Sequence, residues 1–281
     1  MYRLACLLLL IPLTNAVQGQ TAQGNAGAAP PLAGQALVER ALANELAAAQ
    51  DRSHPMRYRL RKSSPRLTTT KEIMETQDGD VARLVAIDDE PLSPLYEQRE
   101  EARLDALAVN PKKQQQRKQA EEDDTEHVLK VMRALPSAFL YQDAGPAEGP
   151  AGKVEKFTFR PNPKFEPQNL ETEVLPAIAG EIWIDPVHLR VARLEGHVEQ
   201  DVDFGWGILG RLHKGGWIEI EQADVGNGLW RTVRFQMRMS ARVVFRTRVF
   251  NTTQEQTQFT PVPVGLSYRT AIELLLAGRQ D

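Results

Sequence analysis

The stretch Phe204-Gly205-Trp206-Gly207-Ile208-Leu209-Gly210-Arg211-Leu212 decides the fold class, because its glycines satisfy the spacing G-x-G-x-x-G. In a dinucleotide-binding unit that spacing follows a buried parallel strand and opens a helix, whose N-terminus carries the pyrophosphate. Neither neighbour fits here. The preceding EGHVEQDVDF (Glu195–Phe204) is acidic and polar, and the following RLHKGGWIEIEQ (Arg211–Gln222) approaches another strand through paired glycines. Parallel sheets need long crossover connections, and the C-terminal half has no strand–helix alternation. The stretch reads as a connection between antiparallel strands, and no cofactor is expected.

The segments around it support that reading. EIWID (Glu181–Asp185), LRVARLEGHV (Leu189–Val198), WIEIEQ (Trp217–Gln222), WRTVRFQMRM (Trp230–Met239) and RVVFRTRVF (Arg242–Phe250) follow one another across short links. Asp185-Pro186 and Gly226-Asn227-Gly228 mark turns, so these strands form an antiparallel meander. KVEKFTFRPNPKF (Lys153–Phe165) ends in Pro161 and Pro163, which places its end at an edge or an exit from the sheet. Further upstream, Met56, Tyr58 and Leu60 alternate with Arg57, Arg59 and Arg61, the period of a half-buried strand. Asp78-Gly79 is a hairpin signal, so residues 56–88 read as three antiparallel strands.

Helices frame the sheet. Val38, Ala41, Leu42, Glu45, Leu46 and Ala49 form a narrow stripe at helical spacing, up to about Gln50. Residues 93–134 interrupt the strands. Ser93-Pro94 starts a helix that runs to about Val109, Asn110-Pro111 breaks it, and a second helix carries Val128, Val131, Met132 and Leu135 on one face. The run KKQQQRKQAEEDDTE (Lys112–Glu126) between them is a solvated helix face or, on a sharper reading, a partner-docking arm. Tyr268–Leu276 reads as a closing helix. The layout is α+β, with one long antiparallel sheet and a few helices in a single domain over residues 32–281.

The chain has 281 residues, 42% of them hydrophobic, and a formal net charge of −3. A sizeable core follows, and the charge gives no basis for nucleic-acid binding. Arg3, the apolar run Leu4–Leu13 and the small residues at Thr14-Asn15-Ala16 read as a secretory signal peptide over residues 1–16, too short in its apolar run to span a bilayer. A flexible leader over residues 17–31 follows. Periplasmic or secreted localisation is the expectation, with no transmembrane segment in the mature chain. Cys6 is the only cysteine. It sits inside the apolar run, so cleavage leaves a chain with no disulfide or thiolate.

No chemistry-bearing spacing emerges. The five histidines are scattered, and neither a nucleophile elbow nor a phosphate loop occurs. His197, Glu199, Asp201 and Asp203 alternate, which suits either a weak cation site or, preferably, a solvent-facing edge. No catalytic residue, metal ligand or enzymatic activity is expected. Arg234, Arg238, Arg242, Arg246 and Arg248 stud the last two strands opposite an apolar set, which suggests one apolar and one basic face. Phe204, Trp206, Ile208 and Leu209 crowd a connection that should be polar. Either they fold over the end of the sheet or they rim an apolar pocket. With Trp183 and Trp217 they are the candidate ligand-binding residues.

Signal peptide, amphipathic helix and antiparallel meander with inserted helices, together with FRPNPKF (Phe159–Phe165), GEIWIDP (Gly180–Pro186), VARLEG (Val191–Gly196) and FGWGILGRL (Phe204–Leu212), resemble the periplasmic lipoprotein-sorting carriers of bacteria and exported bacterial proteins of that layout. The resemblance spans roughly residues 36 to 250. It implies an unclosed, strongly curved half-barrel with helices on its concave side and acyl chains shielded in the cavity between them. It implies no catalytic motif. Two functions follow as expectations: a carrier or sensor of lipid-like or lipoprotein ligands, or an envelope interaction module with a filled core that docks a protein through residues 93–134.

Overall fold

The computed structural model of the protein describes residues 34–149, 152–204, 210–243 and 246–278. The expected signal peptide and leader, and the candidates Trp206, Ile208 and Leu209, lie outside the described residues.

In chain order the elements are α1 (Gln35–Gln50), β1 (Met56–Ser63), β2 (Thr68–Met74), β3 (Val81–Ile87), β4 (Glu90–Pro91), α2 (Pro94–Ala108) and α3 (Pro111–Ala138). Then come β5 (Phe139–Gly149), β6 (Gly152–Pro161), two single 3₁₀ turns (Leu170–Thr172 and Leu175–Ala177), β7 (Ile178–Asp185) and β8 (Arg190–Val198). The chain continues through β9 (Val202–Phe204), β10 (Gly210–Leu212), β11 (Trp217–Asp224), β12 (Trp230–Val243), β13 (Arg246–Pro261) and α4 (Tyr268–Ala277). All described pairings are antiparallel, in the order β4-β3-β2-β1-β13-β12-β11-β8-β7-β6-β5, so the sheet is open, with β4 and β5 at its two ends. β1 lies against the last strand: Leu60 faces Gln256 and Arg61 faces Glu255.

The opening stretch is resolved by its flanks. β9 and β10 form a short ribbon in which Gly210 faces Phe204, and β10 runs antiparallel to the end of β12. Gly210, the last glycine of the fingerprint, therefore opens a strand and not a helix.

The sheet curls. Side chains of β5, β6, β7, β8, β11, β12 and β13 all reach one cavity. Laid flat at the usual strand separation, those seven strands would spread over roughly 29 Å. Two glycines permit the bend. Gly180 and Gly196 face each other across β7 and β8, and a Cβ on Gly180 would lie 1.9 Å from the Glu195 carbonyl oxygen. Paired side-chain-free positions in mid-sheet mark such close backbone approach.

Helices bury different parts of the sheet. α1 places Leu37, Val38, Ala41 and Leu42 against Phe157, Ile182, Ile184 and Val191. α2 and α4 enclose a second cluster with Met74 and Val81, built on Leu104, Leu107, Ile272 and Leu275. α3 begins at Pro111, where the Asn110 side chain caps it by accepting from the Lys113 N–H at 3.0 Å. The charged run is not a purely solvated face. Gln114 is buried and donates to the carbonyls of Asp78 and Gly79 at 2.9 and 3.0 Å, and Glu121 accepts the Asp80 N–H at 3.0 Å. One side of the run is thus anchored on the β2–β3 turn.

β12 continues beyond Met239 to Val243, and β13 runs on to Pro261. The expected arginine face holds for Arg234 and Arg238, which are exposed opposite buried Phe235 and Met237. It fails on β13. Arg248 pairs with Ala241 on the same face as Phe250 and Met239, while Val249 is 67% exposed on the other.

Candidate functional site: an apolar cavity under the helices

Between the sheet and the helices α1 and α3 lies a cavity of about 320 Å³. Its walls come from a few periodic patterns. On α1, Leu42, Glu45 and Ala49 recur at one helical face; on α3, Val128, Leu129, Val131, Met132 and Leu135 do the same. On the sheet, alternate residues point in, such as Ile218 and Ile220 of β11 opposite Met237 and Phe235 of β12. Phe139, Tyr141 and Phe159 pack ring to ring at the β5–β6 side, with centroids 4.7–6.3 Å apart. Burial pushes the Tyr141 hydroxyl well above its ordinary value, so it stays protonated, donating to the Leu135 carbonyl at 2.9 Å.

The few polar residues on the wall are held in place. Glu45, 5% exposed, sits in the middle of the α1 stripe. It accepts from Arg190 Nε at 2.7 Å and Nη2 at 3.0 Å, from the Val191 N–H at 2.9 Å and from Gln222 Nε2 at 3.0 Å. The ion pair fastens α1 to β8, and Gln222 links it to β11. Elsewhere on the wall Glu171 joins its 3₁₀ turn to α3 through His127 and, at 3.0 Å, Lys130 Nζ. Burial opposes its ionisation, but a backbone N–H and these two partners hold its carboxyl below the ordinary range. Arg242, exposed, lines the part of the cavity near Gly210 and Phe250.

Off the cavity, Glu75, Asp80 and Glu121 gather where α3 meets the β2–β3 turn. Burial pushes Glu75 up to about 7, against the opposing charge of Arg231. Asp80 and Glu121 are raised as well, first by burial; the neighbouring carboxylates add to this at Asp80.

The candidates read from the sequence fall in different places. Phe204 closes β9 opposite Gly210, a cavity residue. Trp183 and Trp217 lie on the other face of the sheet: their neighbours Ile182, Ile184 and Ile218 point inward. Trp183 instead stacks under Lys156 and Arg193, at 5.5 and 5.0 Å from its ring centroid. Strand alternation, not aromatic character, decides which side chains reach the cavity. The alternating acids are engaged individually. His197 bonds Glu195 at 2.9 Å, Asp203 takes a two-point bond from Arg211, and Asp201 accepts the Lys214 N–H.

Glu45 and Gln222 carried a legible signal that aromatic content obscured. Glu45 is a carboxylate inside an otherwise apolar helical stripe, and Gln222 shares its strand parity with Ile218 and Ile220. No protein-family model, curated protein or solved structure matches this chain.

Proposed function

We propose that this is an exported protein that carries or senses a lipid-like ligand, with the apolar part of the ligand held in the cavity between the curled sheet and helices α1 and α3. The observation that carries this reading is the cavity itself, of about 320 Å³ and walled almost throughout by Leu, Ile, Val, Met and Phe side chains. Natural cores fill such space, because unfilled apolar volume forfeits packing and costs stability. A retained apolar void of this kind suits a ligand whose buried methylenes each contribute about 0.8 kcal/mol. The reading of residues 1–16 as a signal peptide supplies the compartment, and the resemblance to lipoprotein-sorting carriers supplies an acylated protein as one source of the chain. The cavity favours this reading over an interaction module with a filled core.

Titration with a fluorescent fatty-acid analogue tests it. The expected result is saturable binding, reversed by an unlabelled long-chain competitor. Linear, non-saturable signal up to the solubility of the analogue contradicts it. N-terminal sequencing of the native protein tests export: the mature chain should begin near Val17, and retention of residues 1–16 in a cytoplasmic fraction contradicts it.

A further inference from the structure

We infer that the seat of α3 on the β2–β3 turn is a pH-operated clasp, closed in acid and released as the solution becomes alkaline, and that it governs how firmly α3 walls the cavity. Hydrogen bonds make the contact. Gln114 Nε2 donates to the Asp78 and Gly79 carbonyls at 2.9 and 3.0 Å, Arg117 Nη2 to the Asp80 carbonyl at 3.1 Å and Lys118 Nζ to the Gln77 carbonyl at 3.0 Å. Glu121 Oε2 accepts the Asp80 N–H at 3.0 Å. The fit is close: a Cβ on Gly79 would lie 3.0 Å from both Glu121 Oε2 and Lys118 Cβ.

Three carboxyls from separate parts of the chain meet at this seat: Glu75 just past β2, Asp80 just before β3 and Glu121 on α3. The cations around them are poorly placed to neutralise all three. Arg231 of β12 stays 3.9 Å from Glu75, donates instead to the His54 carbonyl at 2.8 Å, and leaves Nε and Nη1 without partners. It also faces Tyr58, Asp51 and Arg190. Arg117 is turned to the Asp80 carbonyl, and Arg52, which acts on all three carboxyls, is exposed. Glu122 adds like charge at Glu121, and the Tyr58 hydroxyl of β1 is buried in the same space. Carboxyls that share a buried site with too little counter-charge favour their protonated forms. Ionising Asp80 and Glu121 sets like charges against each other across the contact; lifting α3 separates them and admits water. Burial raises Glu75, Asp80 and Glu121 alike. Closure is therefore held in full below the ordinary values of 3.8 for Asp and 4.5 for Glu, and is lost as pH rises, through about 7 for Glu75. α3 runs on as one helix to Ala138 and carries Val128, Leu129, Val131, Met132 and Leu135 of the cavity wall. The effect on a ligand rests on the cavity being a ligand site; the clasp itself does not.

Hydrogen exchange at pH 5 and pH 8 tests the clasp, with each rate divided by that of the unstructured chain so that the intrinsic pH effect cancels. Protection of the amides of residues 115–122 should fall at least about 10-fold more than that of Ile182 in β7 and Leu194 in β8, as one pH unit of displaced carboxyl titration allows. In Asp80→Asn, which keeps an acceptor for the Thr76 N–H and loses the charge, the excess should shrink to under about 3-fold. Glu121→Gln gives the same readout should Asp80→Asn fail to fold, and melting curves of both variants report that. An equal fall in both regions overturns the clasp, because the pH effect is then global. Constant protection of residues 115–122, or an excess fall that persists in the folded variants, also overturns it. A pyrene-tagged long-chain alcohol, which has no titratable group, should lose affinity between pH 5 and pH 8 in the wild type and not in Asp80→Asn. Undiminished affinity while α3 opens overturns the link to the cavity wall. Saturable binding at neither pH removes the carrier reading and leaves the clasp standing.

Discussion

Glu75→Gln should stabilise the protein in alkaline solution and leave it nearly unchanged in acid. Glu75 is 3% exposed, accepts the Met56 N–H at 2.9 Å, and has Arg231 3.9 Å away. Tyr58, Asp80, Glu121 and Arg52 share its surroundings. Its pKa rises from the ordinary 4.5 to about 7, first through burial. A carboxyl raised in the folded state binds more protons there than in the unfolded chain, so stability is lost as pH climbs from 4.5 to 7. At 1.36 kcal/mol per pH unit the full loss is about 3 kcal/mol, complete by pH 8 and still under about 1 kcal/mol at pH 5. Glutamine keeps the acceptor for Met56 and has no charge to bury. For a chain of this size the gain corresponds to roughly 6–12 °C in Tm at pH 8. Thermal melts of wild type and variant at pH 5 and pH 8 read it directly. An equal gain at both pH values refutes the reasoning. So does a loss at pH 8, which would mean that Glu75 is ionised in the fold and needed as the counter-charge of Arg231.

Three further outcomes follow from particular contacts. Glu45→Ala should destabilise by about 3–5 kcal/mol, because it leaves the Arg190 side chain, only 12% exposed, without its partner, and urea denaturation with wild type alongside measures it. Gly180→Ala should cost more than the 1–3 kcal/mol of ordinary overpacking, since the new Cβ meets the Glu195 carbonyl oxygen at 1.9 Å; loss of soluble protein or of a cooperative melt is the expected readout. Gln114→Leu should loosen the amino-terminal part of α3 by about 1–3 kcal/mol, the cost of leaving the Asp78 carbonyl unpaired, while the Gly79 carbonyl keeps the Thr76 hydroxyl at 2.7 Å. Limited trypsin digestion should then cut faster at Lys112, Lys113, Arg117 or Lys118 than in the wild type.

Local periodicity made most of the fold legible. The α1 stripe, the Asp78-Gly79 turn, the Asn110-Pro111 break and the C-terminal strands were readable because each rests on neighbours within a few residues. The same local grounds exclude the glycine fingerprint, and Gly210 opens β10. Placement across the sheet was less legible. That β1 joins β13 depends on contacts nearly 200 residues apart, which no window of sequence reveals. The docking of Gln114 and Glu121 on the β2–β3 turn spans 35 to 41 residues, still beyond any local window, and so a charged run that looks solvated is anchored on one side. Trp183 and Trp217 attract attention as large aromatic residues, yet their parity sends them to the far face. Glu45 and Gln222 occupy inward positions by the same parity argument, but a polar residue at an inward position reads as an irregularity until its partners are seen.

Filling the cavity while preserving the fold tests the central claim most directly. Ile220→Trp places a larger side chain into the void between β11, β12 and α1, and Trp183→Leu changes a residue on the opposite face as a control. Saturable binding of the fluorescent fatty-acid analogue should weaken at least 10-fold in Ile220→Trp, with a melting temperature equal to or above that of wild type, and should be unchanged in Trp183→Leu. Undiminished binding by a stably folded Ile220→Trp variant would contradict the account, because the apolar ligand would then be held somewhere other than the cavity.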